Sequence, residues 1–374
     1  MESASGKESN LRVILIASGD LWGGAESVVY NLLKGLDRSA RIEAMLLTLN
    51  NARLANLCKA ERIQTTVISE ADNAFPVLVW NVRKLVRAFK PHIIHSHGYK
   101  ENILAFLGRD STSSCNLITT LHGLPEGYDT IKAKIANKLN FIVIKKVFDK
   151  LVTVSSDLRN ILTNILQIDQ DKVVVINNGI EITGVCHKNF SNKRNFIIGS
   201  AGRLFPVKNY TLLVRIAKEV CSRNSGIRFV LAGDGPQKTL IYRMIKEYNL
   251  EKNFHLLGHV DEMSDFYRMI DIYINTSKHE GMPMTILEAM ANGALVVAPR
   301  IGALPNIIKH KRNGWLVERN TVSGFVDIIE KVINADPKML KDVSKAAKET
   351  VKKNFSMEAM TRSYVQLYFG IISE

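Results

Sequence analysis

The four cysteines among 374 residues, Cys58, Cys115, Cys186 and Cys221, are scattered, with no Cys-x-x-Cys pair and no histidine cluster at metal-ligand spacing. That pattern excludes a disulfide scaffold or a structural zinc module and fits reduced, packed thiols. The first ten residues are polar and lack the basic-then-apolar order of a secretory signal. The longest apolar runs, such as Phe75 to Trp80, are far too short to span a membrane. Internal repeats, low-complexity tracts and a Gly-x-Gly-x-x-Gly dinucleotide fingerprint are absent, and no Asp-x-Asp metal pair is evident. A cytoplasmic chain without nicotinamide, metal or other cofactor is expected.

What is present is the balance of a globular enzyme: 46% hydrophobic and 23% charged residues, long enough for two α/β domains. The formal charge of +14 is the outlier. Phe75–Lys150 holds twelve Lys/Arg against five Asp/Glu, a net of +7, so half the excess sits in about a fifth of the chain. Nucleic acid, a membrane surface and anionic small molecules are the partner classes this charge allows. No zinc knuckle or nucleic-acid-binding aromatic motif accompanies it, so nucleic acid is not the expected partner.

Short β-rich runs alternate with helical patterns, which predicts parallel sheets covered by helices. The predicted strands of the first half are Arg12–Ala17, Ala44–Leu49, Thr65–Ile68, His92–His95, Leu117–Leu121, Leu151–Val154 and Val173–Ile176. Several end in Gly, Ser, His or Asn, polar residues suited to the carboxyl edge of an open sheet, where ligands bind. A polar stretch, Asn178–Arg194, breaks the pattern. It restarts at Phe196–Ser200 and continues through Phe229–Ala232, His255–Leu257, Ile272–Asn275 and Leu295–Ala298. Two α/β domains are expected, residues 1–180 and 181–355, facing a central cleft, with residues 356–374 as a final capped helix.

The most informative stretch runs from Ser277 through Glu280-Gly281-Met282-Pro283-Met284-Thr285 and Glu288 to Gly293. It follows a strand and starts a helix, with Pro283 expected at the first helical position, where its missing N–H costs nothing. Unpaired amides around Gly281–Ile286 would seat phosphate or sugar oxygens. Glu280 before this mouth and Glu288 inside the helix can each accept hydroxyls of a sugar or a ribose. By spacing alone, a capping Glu280 and a solvated Glu288 fit equally well. Arg203 and Lys208, in the loop Gly202-Arg203-Leu-Phe-Pro-Val-Lys208-Asn209, can both reach one anion, Arg as a planar fork and Lys as a point charge. Two surface cations near a helix start are the plainer alternative. Trp22-Gly23-Gly24-Ala25-Glu26 opens the first helix with glycines that let a ligand approach the backbone. His97 and His122 follow strands, in His95-Ser96-His97-Gly98 and Thr120-Leu121-His122-Gly123.

Glu280 and Glu288 match the Glu-x7-Glu signature of family 4 retaining glycosyltransferases, which the chain resembles from Gly23 to its last helix. The resemblance implies the GT-B fold, α/β with two Rossmann-like domains and a C-terminal helix returning to the first. It implies transfer of a hexose-type sugar from a nucleotide diphosphate donor, with retention and without a metal. By position, Glu280 would bind the transferred sugar, Glu288 the ribose, and Arg203 and Lys208 the diphosphate. Gly23 and Gly24 would lie over the donor phosphate and acceptor, Gly281, Met282, Pro283, Met284 and Thr285 would form the donor-binding mouth, and the backbone at Val260 would receive the base. His122 would face the donor sugar, and His97 is a candidate sugar or acceptor contact. Gly233-Asp234-Gly235-Pro236 fits both the family and an ordinary turn. Departures are Asn209 for Gly, Glu181 for Asp, and Ala303 and Asn306 for Gly and Glu.

Family frequency makes a UDP-sugar the default donor, GDP-mannose next, with a glycan or lipid-linked acceptor. A soluble small-molecule acceptor and a non-catalytic nucleotide-sugar-binding protein are the alternatives. Lys134, Lys138 and Lys145 share a helical stripe beside Ile131, Ile135, Leu139 and Ile142, and Arg83, Lys84, Arg87 and Lys90 occupy a neighbouring amphipathic segment. Such helices either rest on anionic lipid or pack their apolar face on a sheet.

Overall fold

The computed structural model describes residues 10–20, 22–110, 114–123, 131–182, 184, 188–191 and 195–373, with backbone alone for 131–134 and 136. Cys186 and the side chains of Ile131 and Lys134 lie outside the described residues. The chain forms two compact units, Met1–Glu181 with Met357–Glu374, and Ile182–Ser356.

The first unit is built on seven strands: β1 (Leu11–Ala17), β2 (Ile42–Thr48), β3 (Thr65–Val67), β4 (Ile93–Ser96), β5 (Asn116–Leu121), β6 (Lys150–Thr153) and β7 (Val173–Val175). Their order is β3-β2-β1-β4-β5-β6-β7, and every pairing is parallel. A parallel sheet is covered on both faces, so its central strands read as continuous apolar runs rather than alternating ones. Val13, Ile14, Leu15 and Ile16 of β1 are accordingly all fully buried. The order reverses between β1 and β4, the switch point beside which open α/β sheets hold ligands.

The last helix, Met357–Ser373, packs within this unit against the helix Gly24–Asp37. A side chain at Gly35 would come within 2.0 Å of Thr361 Oγ1, so glycine permits the close crossing. Its buried Tyr368 hydroxyl lies 2.6 Å from His95 Nδ1, His95 Nε2 lies 2.8 Å from Thr120 Oγ1, and Thr120 Oγ1 lies 2.9 Å from the Tyr364 hydroxyl. A buried polar chain of this kind is stable only with its members partnered. Burial pushes the His95 imidazole down to about 3, so it sits there neutral.

The second unit has six parallel strands: β8 (Ile197–Ala201), β9 (Arg228–Ala232), β10 (Phe254–Gly258), β11 (Ile272–Ile274), β12 (Leu295–Pro299) and β13 (Trp315–Val317), ordered β10-β9-β8-β11-β12-β13. Its switch point falls between β8 and β11. Apolar residues of the helices Tyr210–Arg223 and Val322–Ile333, among them Leu213, Ile216, Phe325 and Ile329, fill one core with Phe229, Ile272 and Val297 of the sheet.

The thiols of Cys58 and Cys115 are buried and pushed up to about 12, which makes them packing groups rather than nucleophiles. Among the described residues no helix is long and apolar enough to cross a membrane.

Candidate active site

In the second unit the loops after β8 and β11 flank the switch point. Glu280 is 6% exposed, and its Oε1 accepts from Lys208 Nζ at 2.7 Å, Asn275 Nδ2 at 3.0 Å and Ser277 Oγ at 2.6 Å. Three donors on one oxygen are what a buried carboxylate requires. Its Oε2 receives no side-chain donor among the described residues. Glu280 does not cap the following helix. Pro283 occupies the cap, with ψ 117°, and the helix runs Met284–Ala291, one residue later than the sequence suggested. The extended ψ makes Pro283 the half-in residue, and its carbonyl accepts from Ile286 N at 3.2 Å. The amides of Met284 and Thr285 open the helix without intrahelical acceptors.

Glu288, further along that helix, accepts from the Tyr267 hydroxyl at 2.6 Å through Oε2, while burial raises its pKa above the usual carboxylate value. Gly202 (φ +149°) and Gly233 (φ +137°) let the loops after β8 and β9 touch: a side chain at Gly233 would stand 2.0 Å from Gly202 O. Backbone bonds lock these loops, Gly202 N to Ala232 O at 3.0 Å and Leu204 N to Asp234 O at 2.9 Å. Asn209 sits in the left-handed region (φ 55°, ψ 42°), which asparagine tolerates better than most residues and which explains the exchange with glycine. Lys208 points to Glu280, whereas the exposed Arg203 stacks over the Phe205 ring at 5.2 Å. The two cations therefore do not share a partner here.

Asp234 is held by its own loop, by Gly235 N at 2.8 Å and Lys238 Nζ at 2.6 Å, which is turn chemistry. Val260 follows β10, half-buried. Asp169-Gln170-Asp171 is an Asp-x-Asp triplet that the sequence reading passed over. Its Asp169 caps a short turn by accepting from Asp171 N at 3.1 Å. Among the described residues no three His, Cys, Asp or Glu gather as a metal site would require.

In the first unit, Gly23 precedes the helix Gly24–Asp37 with extended backbone (φ −149°, ψ −165°), and Gly24 is its first residue. His97 follows β4, anchored by its amide on Ile16 O at 2.9 Å. Its Nδ1 lies 3.2 Å from Nε2 of His122, which follows β5.

Sequence reasoning missed Asn275, Ser277 and Tyr267 as partners of the two glutamates, and Gly302 as a neighbour of Glu280. The polar end of the predicted strand Ile272–Asn275 was the one available signal for Asn275.

Residues 22–183 match the Glycosyltransferase Family 4 profile and residues 186–350 match glycosyl transferases group 1. The chain belongs to the family 4 glycosyltransferases. This glycosyltransferase is 26% identical over 369 residues to the UDP-Gal:alpha-D-GlcNAc-diphosphoundecaprenol alpha-1,3-galactosyltransferase of Escherichia coli, covering 91% of this chain and 95% of that one. It is 24% identical to the N-acetyl-alpha-D-glucosaminyl L-malate synthase of Bacillus anthracis, over 75% of each chain. The crystal structure of Anabaena HepE with UDP-glucose superposes with a TM-score of 0.81 at 19% identity, covering 96% of this chain and 100% of that one. The fold of this glycosyltransferase is thus GT-B, two Rossmann-like domains.

Proposed function

We propose that this enzyme transfers a hexose-type sugar from a UDP-sugar to a hydroxyl of a glycan or lipid-linked acceptor, with retention at the anomeric carbon and without a metal. The observation that carries the reading is Glu280, a buried carboxylate with one oxygen satisfied by Lys208, Asn275 and Ser277 and the other left for a sugar hydroxyl. Glu288 takes the ribose, and Met1–Glu181 serves as the acceptor side. The bond from the anomeric carbon to the diphosphate breaks as the acceptor oxygen attacks on the same face, and a leaving phosphate oxygen takes the acceptor proton. Arg203, Lys208 and the amides at Met284 and Thr285 stabilise the charge that grows on the departing phosphate. His122 contacts the sugar, and Gly23, Gly24, Gly281 and Met282 bring backbone close to the donor. Two relatives support the donor class: one is named for UDP-Gal, and one was solved with UDP-glucose.

The test is a panel of UDP- and GDP-sugars scored by thermal shift and nucleotide release. Stabilisation and turnover with a UDP-sugar are expected, and a response to GDP-mannose alone would overturn the donor assignment. Turnover is also expected to survive excess EDTA. Loss restored only by manganese or magnesium would overturn the metal-free mechanism.

A lipid-linked acceptor is supported by the surface of the first unit. The helices Phe75–Phe89 and Ile131–Val147 both pack against the helix Tyr99–Gly108. They leave Trp80 62%, Ile135 56% and Leu139 54% exposed, so the stripe of the second helix is not spent on the sheet. Arg83, Lys84, Arg87, Lys138, Lys145 and Lys146 are exposed beside them. An exposed tryptophan among cations suits a membrane interface, where each cation near anionic lipid contributes about 1 kcal/mol. Co-sedimentation with phosphatidylglycerol liposomes at low salt, lost at high salt, is expected. Absence of pelleting at low salt would shift the acceptor toward a soluble molecule.

A further inference from the structure

β4 and β5 run side by side with Ser96 opposite Thr119, so His97, the residue after β4, and His122, the residue after β5, leave the carboxyl edge of neighbouring strands two positions apart in register. Their rings stack at 5.4 Å with 26° between planes, and the His95 ring packs on His97 at 4.2 Å. Burial depresses all three imidazoles, His122 to about 4 and His97 well below its ordinary value, with neighbouring imidazoles adding to the effect at His97. Near neutral pH each ring is neutral and carries one N–H, so across the 3.2 Å contact one nitrogen donates and the other accepts.

Only two arrangements satisfy that contact. If His122 donates from Nε2, His97 must carry its own proton on Nε2. That atom is buried and has no hydrogen-bond partner among the described residues, in a residue only 7% exposed. If His97 donates from Nδ1, its buried Nε2 is a bare ring nitrogen. Buried N–H groups without acceptors are the rarer defect in folded proteins. We propose that His97 is a positioning residue that fixes the tautomer of His122: its Nδ1–H donates to His122 Nε2, and His122 is left to present an Nδ1–H donor. That donor would recognise an oxygen of the transferred sugar, so a donor sugar lacking that oxygen would lose the contact. The role in recognition rests on the reading of His122 as a sugar contact, whereas the tautomer belongs to the unliganded protein.

Long-range proton–nitrogen correlation spectra of the full chain labelled with nitrogen-15 histidine test this, with His122 assigned through His122→Gln. A protonated Nδ1 and a bare Nε2 are expected at His122 in the wild type. In His97→Leu the Nε2–H form of His122 should appear. In His97→Asn, whose amide can donate from near the Nδ1 position, the wild-type tautomer should return. With the UDP-sugar that the donor panel selects, kcat should fall about tenfold or more in His97→Leu, stay within about threefold in His97→Asn, and leave UDP affinity unchanged in both. A His122 protonated on Nε2 in the wild type, an unchanged tautomer in His97→Leu, or equal activity losses in the two variants would each overturn the proposal. If the leucine variant does not fold, the wild-type tautomer alone decides. If no nucleotide sugar turns over, the functional reading fails and the spectra still decide the tautomer.

Discussion

Glu280→Gln is expected to lower kcat about a hundredfold to a thousandfold while UDP affinity stays within about threefold. Glutamine keeps the volume and loses the charge. Its amide must then face Lys208, Asn275 and Ser277 with either its oxygen or its nitrogen. If the oxygen stays in the donor cluster, the NH2 group takes the place of Oε2 and offers a donor where the sugar hydroxyl needs an acceptor. If the amide flips, its NH2 meets the Lys208 and Asn275 donors, only the Ser277 hydroxyl can turn to accept, and the cluster opens. Both outcomes remove the negative charge beside the reacting sugar, and neither touches Glu288, the group assigned to the ribose. The stability cost is expected to be small, because Lys208 retains solvent access when its partner is neutral. Steady-state kinetics, UDP titration and thermal melting read the three quantities separately. Turnover within threefold of wild type would remove Glu280 from the chemistry, and loss of UDP binding in step with kcat would make it a nucleotide ligand or a structural residue.

Both sheets were legible because strands of a covered parallel sheet are apolar throughout and end in polar residues, as Ile93–Ser96 and Ile272–Ile274 before Asn275 do. β13 was not, since Trp315-Leu316-Val317 is three residues long and closes on Glu318, too short for a period to show. The helix start was off by one residue because proline suits both the cap and the first turn, and only ψ at Pro283 separates them. Glu280 could be named from its motif, but Lys208 lies 72 positions away, and only the adjacency of β8 and β11 puts its ammonium on Glu280. The same holds for His95 and Tyr368, 273 positions apart, where a strand-end histidine proves to be part of a buried chain rather than a ligand contact. Amphipathic period also cannot say which apolar stripe stays uncovered. The pattern at Ile135 and Leu139 reads alike for a helix on a sheet and for one facing outward.

Gly302→Ala is expected to lower kcat by roughly tenfold to a hundredfold although residue 302 carries no chemistry, because misplacing a reacting group by about 1 Å has effects of that size. Gly302 lies in the loop after β12, in the left-handed region at φ +46°. A Cβ there would stand 2.1 Å from the carbonyl oxygen of Glu280 and 3.2 Å from its carbonyl carbon. These are backbone atoms, so no rotamer change relieves the contact, and the loop carrying Glu280 must move. That loop positions a carboxylate whose three donors lie at 2.6 to 3.0 Å, a range too narrow to survive such a displacement intact. Adding a side chain at positive φ also costs about 1 kcal/mol of conformational energy. A modest fall in melting temperature should therefore accompany the loss of activity. Gly370→Ala is the control: it lies in the final helix with nothing within 4 Å of its added Cβ, and activity and melting temperature should stay near wild type. Wild-type turnover in Gly302→Ala would mean that the Glu280 loop tolerates displacement, and that the carboxylate need not be held where the structure holds it.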